Sequence, residues 1–332
     1  MSTKIEWCQI PGTKAEVWNV VTGCNKVSEG CKNCYAEVMH NRLRAMLPVK
    51  YNHAFLGGAY FHESLINIPF KWKTPRTVFV NSMSDLFEDN IDFFQIRKVM
   101  DTIYHLQIHT FIILTKRPKR MLEFFEWLGN NNLAKNFPNM WLGVSVENQK
   151  AADERIPSLI KIPCKVRFLS CEPLLGEINL KCIDPVFNKN TGSVNNFIDC
   201  LKSHPIGSPL KPFIDWVIVG GESGRKARPM HPEWVRRLLD QCQEAAIPFF
   251  FKQWGEWFTD RQFTTLKEVV EDDTIHKQEV QMVRMNGLHD NRILVDGITE
   301  PVYRMVKVGK KKAGNTIDGK PYLEFPKTIP NA

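Results

Sequence analysis

A chain of 332 residues is too long for one minimal domain and short for two full-sized ones, so a single α/β barrel with an appendage fits as well as two domains. Hydrophobic residues at 43% and charged residues at 24% match a packed globular core, which excludes wholesale disorder, a collagen-like chain and a disulfide mini-scaffold. A net charge of +8 points toward an acidic partner such as nucleic acid, and the lack of a long apolar run or signal-like start predicts a soluble cytoplasmic protein with no membrane partner.

In chain order, short runs rich in β-branched and aromatic residues predict strands at Val17–Val21, Thr77–Val80, Thr110–Leu114, Met140–Val146, Val166–Leu169, Trp216–Val219 and Pro248–Phe251. Amphipathic helical patterns lie between most of them, as at Phe93–His105, Lys119–Leu128 and Pro232–Ala246. Strands apolar on both faces and alternating with helices imply right-handed crossovers and a mainly parallel sheet. The expected fold is α/β, a partial or near-complete parallel (βα) barrel over residues 1–257. Residues 183–212, with Asn, Gly, Ser and Pro but little periodicity, read as an insertion. Residues 258–332 are polar, with strand-like pieces at Gln281–Arg284 and Val302–Val308. They read as a C-terminal extension or small subdomain, a candidate flap on the barrel.

Nine cysteines cannot pair completely within one chain, and a reducing compartment would not favour a disulfide framework. Cys8, Cys164, Cys171, Cys182, Cys200 and Cys242 are dispersed. Cys24, Cys31 and Cys34 share one loop after the first expected strand, in a C-x6-C-x2-C spacing that reads as a ligand set. For zinc, a fourth ligand is needed; His40 and His53 are near, but neither sits in a second knuckle. For a four-iron cluster, three cysteines leave one iron open to a small molecule. That arrangement suits S-adenosylmethionine, whose reductive cleavage gives a 5′-deoxyadenosyl radical. The usual spacing for that chemistry is C-x3-C-x2-C, and the first gap here is longer.

Polar residues gather where the expected strands end, which in a barrel is one rim. Tyr35 can stack on a cofactor adenine or pack under the loop. Ser84 and Asp85 can hydrogen-bond the cofactor or cap a turn. Lys116 suits a carboxylate or phosphate. Ser145, Glu147 and Asn148 suit ribose hydroxyls, with helix capping the other role for Asn148. Glu172, ahead of Pro173, is a candidate to orient substrate or accept a proton. Cys171 is a candidate hydrogen-atom donor or a plain packing thiol. Glu222 lies in a Gly-rich strand exit where backbone can approach a ligand. Gln253 and Trp254 can stack on a planar substrate or close the last barrel seam. Basic clusters lie at Lys116, Arg117, Lys119 and Arg120, at Arg225, Lys226 and Arg228, and in the tail at Lys310–Lys312. The first two flank the expected mouth and suit a phosphate backbone, with Trp254 and Trp257 as stacking surfaces and ordinary solvated charge as the other reading.

The chain resembles a family of phage and bacterial proteins marked by a three-cysteine motif. The resemblance rests on Trp18-Asn19-Val-Val-Thr22-Gly23-Cys24, Gly30-Cys31-Lys-Asn-Cys34-Tyr35-Ala36-Glu37, Val80-Asn81-Ser82-Met83-Ser84-Asp85-Leu86-Phe87 and Leu114-Thr115-Lys116-Arg117-Pro118. It continues through Leu142–Asn148, Ser170–Gly176, Gly220–Gly224, Phe250–Gly255 and Ala313–Gly319. More distantly the chain is similar to spore photoproduct lyase and its relatives, through the Cys-x-x-Cys-Tyr loop, Ser84-Asp85 and Thr115-Lys116. That resemblance implies a radical S-adenosylmethionine partial barrel, and no particular substrate. The expected cofactors are a [4Fe-4S] cluster and S-adenosylmethionine, and the expected partners an electron donor and a nucleic-acid base or nucleotide. The alternatives are a non-catalytic metal-stabilised barrel that binds nucleic acid or protein, and a hydrolase using Glu172 and Glu222 with a divalent metal.

Overall fold

A computed structural model describes residues 2–47, 49–133, 136–184, 197–202, 213–263, 280–286 and 302–327. The first strand, β1 (Lys14–Trp18), lies earlier than the apolar run at Val17–Val21. Its polar member is what hid it: Glu16 is 5% exposed and takes the guanidinium of Arg76 at 2.5 Å from the neighbouring strand. Val21–Thr22 instead forms β2, paired antiparallel with β3 (Tyr60–Phe61) outside the main sheet.

The remaining main-sheet strands fall close to their expected places. They are β4 (Arg76–Val80), β5 (Thr110–Thr115), β6 (Met140–Ser145), β7 (Val166–Cys171), β8 (Trp216–Gly220) and β9 (Phe249–Gln253). The order is β1-β4-β5-β6-β7-β8-β9 with every neighbouring pair parallel, and the sheet curls into a half-barrel. Helices α1 (Tyr35–Met46), α2 (Phe93–His105), α3 (Pro118–Asn130), α4 (Gln149–Leu159) and α5 (Pro232–Glu244) lie in the connections, as parallel crossovers require. Asp92 starts α2 with a capping box: its carboxylate accepts from Gln95 N at 2.8 Å, and Gln95 Oε1 accepts from Asp92 N at 3.1 Å.

Period-two alternation splits the apolar residues into two layers. Phe111, Ile113, Leu142, Val144, Leu169, Val217 and Val219 face the helices. Phe79, Ile112, Trp141, Phe168, Trp216, Ile218 and Phe250 face inward and pack around Trp7, which comes from a short 3₁₀ turn at Glu6–Cys8. The Trp7 ring centroid is 4.8 Å from Phe79, 6.3 Å from Phe168 and 6.4 Å from Trp216.

Both edges of the sheet are covered. Ser2 bridges Glu16 antiparallel, and Thr3 N donates to Ala15 O, along β1. At the other edge Phe251 N donates to Tyr322 O, Leu323 bridges Phe250, and Glu324 N donates to Phe249 O. Unpaired strand edges invite association, so this covering also protects the fold. The C-terminal extension is accordingly more than a flap. After β10 (Trp257–Phe263), β11 (Val280–Val283) and β12 (Val302–Lys307), which form an antiparallel sheet in the order β10-β12-β11, come α6 (Lys310–Ala313) and the pair β13 (Thr316–Ile317) and β14 (Lys320–Pro321). The chain then returns to the half-barrel. Of the expected insertion, Ile183 and Ile198 form an antiparallel bridge, while 185–196 and 203–212 lie outside the described residues. Among the described residues, no helix is long and apolar enough to cross a membrane.

Candidate functional site

A full parallel barrel is filled by layers of inward side chains. Here the deep layer is filled by Trp7, Phe79, Phe168 and Trp216, and Gly143 leaves room for the Phe168 ring. Nearer the carboxyl ends of the strands the inward positions become small, with Ser145 on β6 and Ser170 on β7. The space left is a cavity of about 660 Å³. Ten of the expected site residues line it: Cys24, Cys31, Cys34, Tyr35, Ser84, Asp85, Lys116, Ser145, Glu172 and Glu222. Gln253 lines it as well.

The cysteine loop is held from below. Glu147, 1% exposed, accepts from Ser28 Oγ at 2.7 Å, from Lys116 Nζ at 2.6 Å and from Arg155 Nη1 at 2.8 Å. Burial alone would raise its carboxyl, but Lys116, Arg155 and the Ser28 hydroxyl together hold it below the usual range. Gly30 rests on that carboxylate, and a Cβ there would stand 2.5 Å from Glu147 Oε1. From above, Glu222 accepts from Asn33 Nδ2 at 3.0 Å and from Arg228 Nη2 at 2.7 Å, while Arg228 Nη2 also donates to Glu29 O at 3.0 Å. Two buried carboxylates thus clamp one loop.

Each of two thiols has a cation beside it. Arg117, 8% exposed, donates from Nη1 to Cys24 Sγ at 3.8 Å and to Asp85 Oδ2 at 3.4 Å, and its Nη2 pairs with Glu88. Asn25 O accepts from Arg117 Nη2 at 3.2 Å, and Asn25 Nδ2 donates to Glu88 Oε1 at 2.6 Å. Burial pushes the Cys24 thiol up, Asp85 and Glu88 push it further, and Arg117 opposes them. For Cys31, burial alone would raise the thiol, but Lys116 and the Val27 and Ser28 backbone hold it below its ordinary value. Cys24 and Cys34 also pack against Ala36, Phe55 and Met83, an apolar shield on one side of the loop.

Asp85 takes four hydrogen bonds, from Phe87 N at 3.0 Å, Thr115 Oγ1 at 2.7 Å, Lys116 N at 2.9 Å and Arg117. It therefore knits the ends of β4 and β5 together at the cavity wall. Ser84 Oγ donates to Val21 O at 2.8 Å, and Tyr35, 58% exposed, donates from its hydroxyl to Ser82 O at 2.5 Å. Glu172 lies 3.1 Å from Lys252 Nζ. Burial alone would lower the Lys252 ammonium, but Glu172 and Glu6 hold it above its ordinary value.

Three expected site residues stand elsewhere. Cys171 is on the helix-facing side of β7, in the outer core, because the alternation that turns Ser170 inward turns Cys171 out; it does not line the cavity. Burial pushes its thiol well up. Asn148 caps α4, accepting from Ala151 N at 3.0 Å. Glu147 lies beneath the cysteine loop and is saturated by its partners rather than free for a ribose. The basic and aromatic expectations also change. Lys116 is spent on Glu147, Arg117 on the Cys24 network and Arg228 on Glu222, while Arg120 Nη2 donates to Ile91 O at 2.6 Å. Trp254 and Trp257 are buried, with indole N–H groups bonded to Thr316 O and Ala227 O. Neither offers a stacking face. Lys119, Arg225, Lys226, Lys311 and Lys312 remain exposed.

Sequence reading passed over Ser28, Asn33, Glu88 and Arg155 as site residues. Lys252 stood among the polar residues that follow the last expected strand, Pro248–Phe251, with no role of its own. All nine cysteines are free thiols. His40 and His53 are engaged with other partners: His40 Nε2 meets His53 O at 2.9 Å, and His53 Nε2 meets Thr22 Oγ1 at 2.8 Å. Among the described residues, no three His, Cys, Asp or Glu side chains are gathered as a metal site. The thiol set still suits an iron–sulfur cluster in kind: three soft donors from one loop line one cavity, and of the two beside cations Cys31 is the one whose surroundings favour thiolate on balance.

Residues 2–326 match the family described as a protein of unknown function, DUF5131. No curated protein and no solved structure matches the chain.

Proposed function

Because the chain belongs to the DUF5131 family over nearly its whole length, we propose a function from its own cavity: a radical S-adenosylmethionine enzyme acting on a nucleic-acid base or nucleotide. One observation carries the reading. Cys24, Cys31 and Cys34 line a single cavity at the carboxyl ends of a parallel half-barrel, where active sites of such sheets lie.

Those three thiolates would hold three corners of a [4Fe-4S] cluster. When bound with S-adenosylmethionine, such a cluster supplies a 5′-deoxyadenosyl radical after one-electron reduction by a donor protein. The chain's own residues set the surroundings. Arg117 and Lys116 offset thiolate charge at Cys24 and Cys31, while Ala36, Phe55 and Met83 limit water on one side. Asp85 and Glu147 keep the loop in place without contributing free groups. Ser145 and Ser170 offer hydroxyls to ligand polar groups, Tyr35, its hydroxyl held by Ser82 O, offers its ring to an adenine, and Glu172 is the carboxylate placed to orient substrate or take a proton from it.

Anaerobic purification tests the proposal. A brown protein with about four irons per chain that cleaves S-adenosylmethionine under reductant is the expected result. A colourless protein holding one zinc, with no cleavage after iron–sulfur reconstitution, would sink it. That second result is the outcome of the other reading, a metal-stabilised barrel that binds nucleic acid or protein. The observation favouring that reading is that Asp85, Glu147 and Glu222 are all committed to internal ion pairs, as in a rigid scaffold.

A further inference from the structure

Lys252 comes from β9, at the opposite end of the main sheet from β1. Its ammonium and the Glu172 carboxylate lie 3.1 Å apart, with side chains 22% and 15% exposed. Gly220 makes room for the pair, since a Cβ there would stand 2.5 Å from Glu172 Oε1. Among the described residues, Glu172 Oε2 and the other two N–H groups of Lys252 have no hydrogen-bond partner. Trp7, Phe79 and Leu114 line the same cavity as apolar surface.

The charges decide what fits there. A lone phosphate or carboxylate would be repelled by Glu172, and a lone cation by Lys252. A ligand that satisfies both presents an acceptor beside a donor on one edge, and the apolar lining favours a flat body. We infer that Glu172 and Lys252, with Trp7, Phe79 and Leu114, form a subsite for the hydrogen-bonding edge of a nucleobase. This rests on the function proposed above for the substrate class alone and needs no cluster chemistry. The space is large enough, since pockets of about 300–1,000 Å³ hold small ligands. The sugar-phosphate part stays outside, near the exposed Arg225, Lys226 and Lys311.

The test is equilibrium binding by the full chain, without reductant or S-adenosylmethionine. Fluorescence anisotropy compares a labelled mixed-base single strand with a base-free phosphodiester of equal length. The strand with bases is expected to bind about ten- to a hundredfold tighter, the range for hydrogen bonds to charged groups. Lys252→Met and Glu172→Gln should each collapse that ratio, and Lys252→Arg should keep most of it. If Lys252→Met does not fold, the isosteric Glu172→Gln decides. Equal binding of the two probes, or an unchanged ratio in the variants, overturns the inference. So does Lys252-dependent displacement of the strand by S-adenosylmethionine or a free amino acid, which would make the pair a zwitterion site. Base preference without S-adenosylmethionine cleavage in the reduced, reconstituted protein would leave the subsite standing and remove the proposed enzyme.

Discussion

Lys116 Nζ lies 2.6 Å from Glu147 Oε1, so the residue just after β5 is bound to the second residue after β6, directly beneath Gly30 of the cysteine loop. The same carboxylate holds Ser28 of the loop and Arg155 of α4. One buried anion therefore joins two strand ends, a helix and the proposed ligand loop. Its removal should be felt in stability and in loop geometry together.

The pH dependence follows from the sign of the shift. The folded-state carboxyl of Glu147 is held below its ordinary value of 4.5, so its stabilisation is complete above that pH and is lost as pH falls through the folded value. Glu147→Gln should be less stable than the parent at neutral pH, and the gap should close below pH 4.5. Urea unfolding across the acid range checks this; a gap that widens on acidification contradicts it.

Gly30→Ala drives a methyl group into Glu147. Relief requires either the loop or the carboxylate to move, at a cost of about 1–3 kcal/mol for overpacking. Urea midpoints should fall, and iron retained per chain should fall with them. Unchanged values for both would show that the loop yields freely.

Arg117 has a guanidinium buried against Glu88, Asp85 and Cys24. Arg117→Met leaves Glu88, itself 0% exposed, without its cation. Truncating one partner of a buried pair costs about 3–5 kcal/mol. The double variant Arg117→Met/Glu88→Gln should recover part of that loss. Additive losses would show the two side chains to be uncoupled.

The cysteines should separate by layer. Cys34→Ala is expected to abolish cluster retention and Cys8→Ala to leave it intact, since Cys8 packs with the inner core. Cys171→Ala should cost about 1 kcal/mol and leave any product unchanged, because that thiol faces the helices. Iron analysis and product chromatography read the three variants. An altered product from Cys171→Ala would return that residue to the reaction.

Exposed Arg225 and Lys226 follow the cavity residue Ser223 closely on the chain. If they meet phosphates, changing both to Ser weakens single-strand binding uniformly across sequences. Each lost contact lowers the slope of log affinity against log salt by about 0.7. An unchanged slope places the nucleic acid elsewhere.

Much of the architecture was legible because buried parallel strands are apolar on both faces, and six of the seven strands stand near their apolar runs. β1 was displaced because a buried ion pair, Glu16 with Arg76, wrote a charged residue into a strand. The rim was legible as a set of strand ends, and the cysteines as a spacing. Individual roles were not. Cys171 and Ser170 are adjacent in sequence yet face opposite layers, and the alternation had to be phased by the fold to tell them apart. Arg117 read as surface charge because sequence does not reveal that Glu88 and Asp85 converge on it. The covering of β9 by Tyr322–Glu324 was hidden for a related reason, since no local pattern marks a segment that pairs with a strand seventy residues earlier.

Trp216 touches Trp7 at 6.4 Å and Phe325 at 5.7 Å, one from each end of the described chain. During synthesis the strands emerge in spatial order, but the inner layer lacks its last pieces until Phe325 has left the ribosome. Until then Phe250 and Trp216 present apolar surface, and β9 an unpaired edge, to other nascent chains. The long sequence separation of these contacts also favours slow completion of folding. A chaperone that shelters an open sheet would therefore raise the yield of this protein more than one that acts on its helices.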